Sequence, residues 1–338
     1  MIQLKKLSAS SINSFDACQL KWFIQYVLGY REPSGKAAVL GTICHYVLEC
    51  IAKSKILRQN GEQSVEDEIV GEIRQTYDLD EWINTIYNYY VDLEKHLVFD
   101  DKDYREVRKN IEKAQAHHLF PERHSHIIEP EGGFFLPIEK MWAKFSYLTN
   151  GQIEEGNILL NGFIDLIFRD KNGMLNFIDY KFGSSTKDWA TDKEKDTSSI
   201  IRDTQLCMYY WALRNKFPEE KEIVANLWFV KVGKAFTHIF GEEQERHLMQ
   251  KVEATVSKIK GMQVPDPNYT WKCKMCPFKK TNFSEWGRPD LDIPHYKVKG
   301  ARFDDVNGKA CVCDGVKVFV DYRGLVPTIE NGKAVKNE

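Results

Sequence analysis

Apolar side chains recur with a helical period over the first third of the chain. After a cap-rich stretch at residues 8–11, they stand at Ile12, Phe15, Cys18, Leu20, Phe23 and Tyr26. That spacing lines one face of a helix, and Gly29 fits its end. A second helix is predicted over residues 41–57. Residues 63–118 are charged with a helical pattern and aromatic residues to pack inward, which predicts a helical insertion.

The period of the pattern changes after His126. Alternating apolar and polar residues predict strands over 138–147, 157–169, 174–182 and 222–231. Helices fit 199–216 and 241–262, and a short strand-like stretch lies around Val316 and Tyr322. Helices are therefore followed by a group of strands, and then by a helix, a strand and a helix. This order predicts an α/β or α+β core.

Composition narrows the class of protein. The chain has 338 residues, of which 43% are hydrophobic, so it has enough apolar material for a buried core. Its net charge of −2 excludes a net-basic histone-like or ribosomal protein, although a local basic groove is compatible with that charge. Eight cysteines are too few for a disulfide scaffold. No targeting segment and no apolar run of membrane length stands out, so we expect a cytoplasmic protein without a membrane partner.

Two apolar strand segments each carry an aspartate. Asp165 lies in the segment 161–168, and Asp179 lies in 176–182 together with Lys181. A charge inside an apolar strand is costly unless it is paired or bound to a metal. Asp179 and Lys181 are two residues apart, so their side chains share a face of the strand.

The turn between these segments decides whether the two aspartates meet. If residues 171–173 form a three-residue loop with Gly173 in the left-handed conformation, Asp165 lies opposite Asp179. If Asn172 and Gly173 form a two-residue turn instead, the carboxylates point to opposite sides of the sheet. The first register predicts a site for a divalent cation between like charges. The second leaves Asp165 as an edge charge and Asp179 with Lys181 as a local ion pair.

Two carboxylates and a lysine suit metal-assisted hydrolysis of a phosphodiester. Carboxylate oxygens hold Mg²⁺ or Mn²⁺, and the cation lowers the pKa of a bound water and offsets charge on the phosphate. The lysine can orient the water or stabilise the developing charge.

The chain resembles the RecB-like branch of the PD-(D/E)XK nucleases, with its AddB-type and CRISPR-adaptation-type exonucleases. Four ordered parts carry the resemblance: Cys18-Gln19-Leu20-Lys21-Trp22 in the opening helix, Gly41-Thr42-Ile43-Cys44-His45, the strand pair Gly162-Phe163-Ile164-Asp165 and Ile178-Asp179-Tyr180-Lys181, and Gln205-Leu206-Cys207-Met208-Tyr209. It implies a restriction-endonuclease-like core, with a central mixed sheet flanked by helices and a helical insertion.

The resemblance also implies a role for each matched residue. Asp165, Asp179 and His45 would be metal ligands, and Lys181 would be the catalytic lysine. Gln205 and Tyr209 lie one helical turn apart and would line the active site. Two alternatives stay open, because His45 can be a packed core residue and Tyr209 can belong to an aromatic core. Glu139 is a further candidate acid, on strand position alone.

Cysteines of some family members hold a [4Fe–4S] cluster. Cys18, Cys273 and Cys276 match three of its ligand positions, whereas the fourth position is Asn282. The missing ligand could come from Cys311 or Cys313; alternatively, these two with Cys273 and Cys276 could bind zinc, or no metal is held. The remaining three cysteines lie on apolar helical patterns and are predicted to fill the core: Cys44, Cys50 and Cys207.

The pattern and the resemblance together predict a Mg²⁺- or Mn²⁺-dependent deoxyribonuclease. We expect it to act as an exonuclease on DNA ends or single strands, in recombination, repair or replication. Candidate phosphate contacts are Lys21, Arg31, Lys36 and Arg202. The alternatives are a nucleic-acid-binding accessory subunit without cleavage activity, and a nuclease active only with a helicase or integrase. The chain has no phosphate-loop motif, so unwinding driven by ATP would need another chain.

The predicted division has four parts. Residues 1–60 hold the N-terminal helices of the nuclease core, and 61–130 form the insertion. Residues 131–287 form the catalytic core and the cysteine-containing segment, and 288–338 form a polar tail or a small β element.

Overall fold

A computed structural model gives the fold of the chain. It describes residues 2–27, 34–124, 126–149, 151–187 and 194–262, together with 265–266, 268, 270, 273, 276, 328–330 and 333–335. The chain forms two compact units. One comprises Met1–Pro33, Pro137–Leu159 and Lys251–Glu338, and the other comprises Ser34–Leu136 and Leu160–Gln250. The four-part division stays a prediction.

The opening helical pattern is divided into short pieces. β1 is Lys6–Leu7, α1 is Ala9–Ala17, α2 is Gln19–Trp22, and a π-helical turn spans Phe23–Val27. The single helix predicted here is wrong because Cys18 adopts an extended conformation. Its Sγ then accepts a hydrogen bond from Lys21 N at 3.5 Å and caps α2. In the same unit, the Trp22 ring meets Phe15 edge-on at 5.1 Å.

The long second helix, α3, spans Lys36–Asn60 and ends at Gly61, whose φ of 72° is left-handed. Its buried residues form the centre of the core of the second unit, where Ile43, Val47 and Ile51 have no exposed surface. By length and composition α3 could also cross a membrane, although 56% of its most apolar stretch is buried inside the protein. The core helix of a globular protein has the same composition.

The predicted insertion is not wholly helical. It begins with a hairpin, β2 Ser64–Asp67 and β3 Gly71–Arg74, and continues with α4 Leu79–Leu93 and α5 Asp101–Gln115. The hairpin forms because Asp67 Oδ1 accepts hydrogen bonds from Ile69 N and Val70 N, and because Gly71 supplies a φ of 77°. α4 and α5 pack on α3, and their buried residues join its core.

The strand region holds more strands than the pattern predicts. They are β4 His126–Pro137, β5 Lys144–Thr149, β6 Gln152–Asn157, β7 Leu159–Arg169, β8 Leu175–Lys181, β9 Ile223–Phe229 and β10 Lys234–Phe240. β4, β6 and β10 were not predicted, and the strand predicted over 138–147 is confined to β5 because a 3₁₀ turn occupies Met141–Ala143. The strand expected around Val316 lies outside the described residues, which include β11 Thr328–Glu330 and β12 Lys333–Val335.

The later helices follow the predicted positions with one break. α6 is Thr197–Ile200, α7 is Thr204–Lys216 and α8 is Glu242–Gly261. The predicted helix over 199–216 is interrupted because Asp203 caps α7 by accepting hydrogen bonds from Gln205 N and Leu206 N. Side-chain capping of this kind starts a helix at a defined residue.

The main sheet is mixed. β7 and β8 are antiparallel, β8 and β9 are parallel, and β9 and β10 are antiparallel, while β4 pairs with β7. A parallel step needs a crossover, which the segment containing α6 and α7 supplies between β8 and β9. Helices pack on this sheet, so the predicted fold class of a mixed sheet flanked by helices is confirmed.

Candidate active site

The hairpin of β7 and β8 adopts the register that brings the two aspartates together. Asp170 N donates to Met174 O at 3.1 Å, and Gly173 has a φ of 82°. The last regular pair is Leu166 with Ile178, so Asp165 and Asp179 are the next residues on their strands. The three-residue loop is therefore confirmed, and the two-residue alternative is wrong.

Asp165 lies where the two strands stop pairing regularly. Its Oδ2 accepts a hydrogen bond of 2.5 Å from Tyr180 N, in place of a backbone partner. Its Oδ1 lies 3.6 Å from Nδ1 of His45, which α3 supplies. The His45 ring packs edge-on to Phe182 at 5.2 Å between ring centroids. His45 is thus both a packed residue and a neighbour of the carboxylates, so the two interpretations of it are compatible.

Glu131 is an acidic neighbour that the sequence analysis missed. One carboxylate oxygen of Glu131, one of Asp165 and one nitrogen of His45 lie within 4.8 Å of one another. Glu131 has a φ of 47°, a left-handed conformation that a residue with a side chain adopts at a cost. A glutamate directly before Gly132 and Gly133 was the available signal, because such a pair marks an irregular strand. Glu139 instead accepts a hydrogen bond from Asn157 Nδ2 at 2.9 Å.

Burial favours the neutral forms of the side chains in this cluster. Burial raises the pKa of Asp165 well above its usual range, and the charge of Asp179 raises it further. Burial also raises the pKa of Glu131 to about 7, and the charge of Asp165 adds to the shift. The pKa of His45 is lowered by burial, although Glu131 and Asp179 oppose that shift. A neutral imidazole offers a lone pair, and crowded carboxylates gain stability when a cation replaces their protons.

Asp179, Lys181, Gln205 and Tyr209 form a chain of polar contacts from β8 to α7. Lys181 Nζ lies 2.7 Å from Asp179 Oδ2 and donates to Gln205 Oε1 at 3.0 Å. Gln205 Nε2 in turn donates to the Tyr209 hydroxyl at 2.6 Å. Burial lowers the pKa of Lys181, but the charges of Asp179 and Asp165 outweigh it and raise the pKa overall. Lys181 is therefore held as a cation.

Asp179 has an oxygen without a satisfying donor. The residue is 1% exposed, and no donor in the described part of the chain makes a hydrogen bond of acceptable geometry to its Oδ2. Lys181 Nζ is close to that oxygen, so the contact is an ion pair of poor angular geometry. A buried carboxylate oxygen in this condition is costly. Together with Asp165, it is a hard oxygen donor of the kind that Mg²⁺ and Mn²⁺ prefer.

Gly162 allows an aromatic wall to close beside the site. A Cβ on Gly162 would lie 2.9 Å from Cζ of Phe134 and 3.7 Å from Cε1 of Tyr209. Any larger residue would push Phe134 out of this position. Tyr209 is also packed edge-on against Phe177 at 5.9 Å, so it belongs to an aromatic core while its hydroxyl reaches Gln205.

A family profile covers most of the chain that carries this geometry. The profile of the PD-(D/E)XK nuclease superfamily matches residues 6–281. The chain belongs to this superfamily. The RecB-like resemblance is confirmed by relatives whose names describe one subunit of an ATP-dependent helicase/deoxyribonuclease.

The curated relatives come from Streptococcus agalactiae of serotypes III, Ia and V. Each is 26% identical over 260 residues, which is 75% of this chain and 20% of the relative. The chain therefore spans about a fifth of the length of these relatives. A solved structure from Eubacterium rectale, of a protein whose exonuclease assignment is provisional, has a TM-score of 0.44 and 11% identity, covering 84% of this chain and 88% of that one.

The cysteines predicted to bind a metal do not come together as a site among the residues that the structure describes. Cys273 Sγ accepts from Thr270 N at 3.4 Å and donates to Asn268 O at 3.6 Å. Within the described ranges, Cys18, Cys273 and Cys276 do not bring three ligand atoms within 4.8 Å of one another. Asn282, Cys311 and Cys313 lie outside the described residues. The three remaining cysteines are buried, which confirms their prediction as core residues: Cys44, Cys50 and Cys207.

The candidate phosphate contacts have separate outcomes. Lys36 Nζ forms an ion pair of 2.8 Å with Asp103, which competes with a phosphate for its charge. Arg31 lies outside the described residues. The roles of Lys21 and Arg202 stay predictions.

Proposed function

We propose that this chain is a divalent-cation-dependent deoxyribonuclease that hydrolyses DNA at ends or in single strands. The observation that carries the proposal is the position of Asp165 and Asp179 directly beyond the last pair of one hairpin, with Lys181 bridging Asp179 and Gln205. Membership of the nuclease superfamily supports the hydrolysis of nucleic acid. The word deoxyribonuclease in the names of the curated relatives supports DNA as the substrate.

The residues that would hold the cation are Asp165, Asp179, His45 and Glu131. When bound, Mg²⁺ or Mn²⁺ would lower the pKa of a coordinated water and offset charge on the scissile phosphate. Tyr180 N fixes the orientation of the Asp165 carboxylate, and the edge-on contact with Phe182 fixes the His45 ring. These two contacts hold the side chains that would bind the cation in place before the substrate arrives.

Lys181 would stabilise negative charge on the phosphate or orient the attacking water. Its side chain is 38% exposed, so Nζ can be reached from solvent while Asp179 and Gln205 hold it. Gln205 fixes the direction of the ammonium group, and Tyr209 fixes Gln205. A donor that is already oriented needs no reorganisation when charge develops in the transition state.

The helices α4 and α5 support a preference for ends. Both pack on α3, the helix that supplies His45, and Lys36 at the start of α3 pairs with Asp103 of α5. We propose that residues 61–130 restrict access to the site, so that a strand end enters more readily than a continuous duplex. Relaxed circular DNA should then be cut much more slowly than its linear form.

Purified protein should be incubated with linear and circular DNA, single- and double-stranded, with and without Mg²⁺ or Mn²⁺. We expect cleavage of linear DNA that requires the cation and is lost in Asp179→Ala and Lys181→Ala. Lys187→Ala is a matched control, because Lys187 lies in the loop after β8. Cleavage that survives both site substitutions would contradict the proposal.

A second candidate is a nuclease subunit that depends on a helicase or recombination partner. The names of the relatives support it, since they describe subunits of a helicase/deoxyribonuclease. In this case the chain alone would bind DNA without cutting it, and a cognate helicase subunit would restore cleavage. An accessory subunit without activity would show no cleavage in either condition.

The iron–sulfur cluster stays a separate proposal, supported only by the spacing of Cys18, Cys273 and Cys276. Anaerobically purified protein should absorb light at about 400 nm if the cluster is present. Zinc bound through the four C-terminal cysteines would give no absorption band at this wavelength, and elemental analysis would detect the metal.

A further inference from the structure

Phe163 is a large apolar side chain in an exposed position next to the acidic cluster. It belongs to β7 two residues before Asp165, and 63% of its surface is exposed. Two residues along an extended strand span about 6.6 Å. A single exposed ring is common on a protein surface, whereas neighbouring exposed rings beside a charged site form an apolar patch.

The neighbouring strand is shaped to receive this ring. A Cβ on Gly133 would lie 3.1 Å from Cε1 and 3.4 Å from Cδ1 of Phe163. Gly133 follows Glu131 by two residues on β4, as Phe163 precedes Asp165 by two residues on β7. The same two strands therefore supply the acidic pair and, two residues away, a ring lying across a glycine. One edge of the ring is supported by backbone, and most of its surface faces solvent.

Phe135 extends this apolar surface along β4. It lies two residues beyond Gly133 and is 58% exposed. Neither ring is charged, so the surface offers no partner for a phosphate. It offers π faces, and nucleobases stack on aromatic side chains independently of sequence. A DNA strand whose phosphate lies at the acidic cluster would bring its adjacent base to about the distance that separates Phe163 from that cluster.

We propose that Phe163 is a stacking platform for an unpaired nucleobase next to the scissile phosphate. The inference rests on the proposed nuclease function and specifies its substrate, because a base inside a duplex is already stacked and cannot use the ring. Phe163 is a positioning residue that binds the substrate and takes no part in the chemistry. The platform favours single-stranded DNA or a frayed end over an intact duplex.

A comparison of two oligomers with two forms of the protein tests the platform directly. A fluorescein-labelled thymidine oligomer and a matched abasic oligomer would be titrated against the wild-type protein and Phe163→Ala, with EDTA present so that nothing is cleaved. We expect the wild type to bind the thymidine oligomer about 5- to 100-fold more tightly than the abasic one. Phe163→Ala should lose most of this difference, and Phe163→Trp should restore it. Tyr89→Ala, at an exposed aromatic residue of α4, should keep the difference.

The outcomes separate this inference from the proposed function. Equal binding of the two oligomers by the wild type, or an equal preference in wild type and Phe163→Ala, would overturn the platform. The wild-type comparison needs no substituted protein, so a misfolded variant does not weaken the test. Cleavage scored separately with Mg²⁺ judges the nuclease proposal. In that assay Phe163→Ala should raise KM for single-stranded DNA and leave kcat unchanged.

Discussion

Tyr180 donates its backbone N–H to the Oδ2 of Asp165 at 2.5 Å, so a side chain of β7 takes the place of a backbone partner of β8. This bond marks the point at which the two strands cease to pair regularly, directly after Leu166 and Ile178. It also fixes the carboxylate beside His45. The opening of the hairpin and the position of the acidic residue therefore have one cause.

Asp165→Asn should separate the charge of this residue from its structural contact. The amide oxygen can still accept from Tyr180 N, so the hairpin should persist. Cation-dependent cleavage should fall at least about 100-fold, because a ligand charge is lost. Thermal unfolding without cation should be unchanged or slightly higher in temperature, since repulsion from Asp179 is removed. Asp92→Asn on α4 is the control, and loss of folding in Asp165→Asn would contradict the assignment.

Glu131→Gln should weaken the activation by the cation. The substitution keeps the shape of the side chain and removes one negative donor from the group with His45 and Asp165. We expect the Mg²⁺ concentration for half-maximal cleavage to rise about 10- to 100-fold. Glu139→Gln should have no such effect, because Glu139 bonds to Asn157. An unchanged Mg²⁺ requirement in Glu131→Gln would remove Glu131 from the site.

Gln205→Ala should release Lys181 without removing its charge. Lys181 would keep its ion pair with Asp179 and lose its contact of 3.0 Å with Gln205 Oε1. We expect kcat to fall about 10- to 100-fold with little change in KM, as for other residues that orient a catalytic group. Gln115→Ala, at an exposed residue of α5, is the control. If KM rises and kcat stays constant, Gln205 binds substrate and does not orient Lys181.

Gly173→Ala should destabilise the hairpin that brings the aspartates together. Gly173 has a φ of 82°, and nothing lies within 4 Å of the added Cβ, so the cost is backbone strain alone. We expect the free energy of unfolding to fall by about 1–2 kcal/mol, with a smaller loss for Gly173→Asn. Gly183→Ala, at a glycine whose φ is not left-handed and whose added Cβ is equally free, should be nearly neutral. Chemical denaturation measures all three.

His124 should make stability depend on pH. Burial lowers the pKa of this histidine to about 4, although a hydrogen bond to Leu119 O opposes the shift, and the ring stacks on Phe168. In the unfolded chain, the pKa of a histidine is about 6.5. Between these values the unfolded state binds a proton that the folded state does not, so the free energy of unfolding falls as pH falls from about 6.5 to about 4.

The total loss over this window should be up to about 3 kcal/mol. Urea denaturation of the wild type and His124→Gln at several pH values measures it, and the variant should show a shallower pH dependence. His126→Gln, at an exposed histidine two residues later, should retain the wild-type slope. Equal slopes in wild type and His124→Gln would contradict the prediction.

The sequence by itself reduced the local features of the site to a few possibilities. A hairpin loop sets strand pairing within a few residues, so the sequence left two registers for Asp165 and Asp179. The structure selected the one with the three-residue loop ending in Gly173. The helical spacing of Gln205 and Tyr209 put both on one side of α7, and they form a hydrogen bond there. Short-range geometry of this kind depends on backbone conformation and side-chain period, both of which can be inferred from the order of residues.

Tertiary packing decided which residues from distant parts of the sequence lie beside the aspartates. Glu131 reaches His45 and Asp165 because β4 pairs with β7 and because its backbone is left-handed, and neither feature follows from the periodicity of residues 126–137. The hairpin of β2 and β3 was missed for a local reason instead, because it depends on hydrogen bonds from Ile69 N and Val70 N to Asp67 within a charged segment. Long-range pairing is set by the packing of the whole core, so local propensity could not predict it.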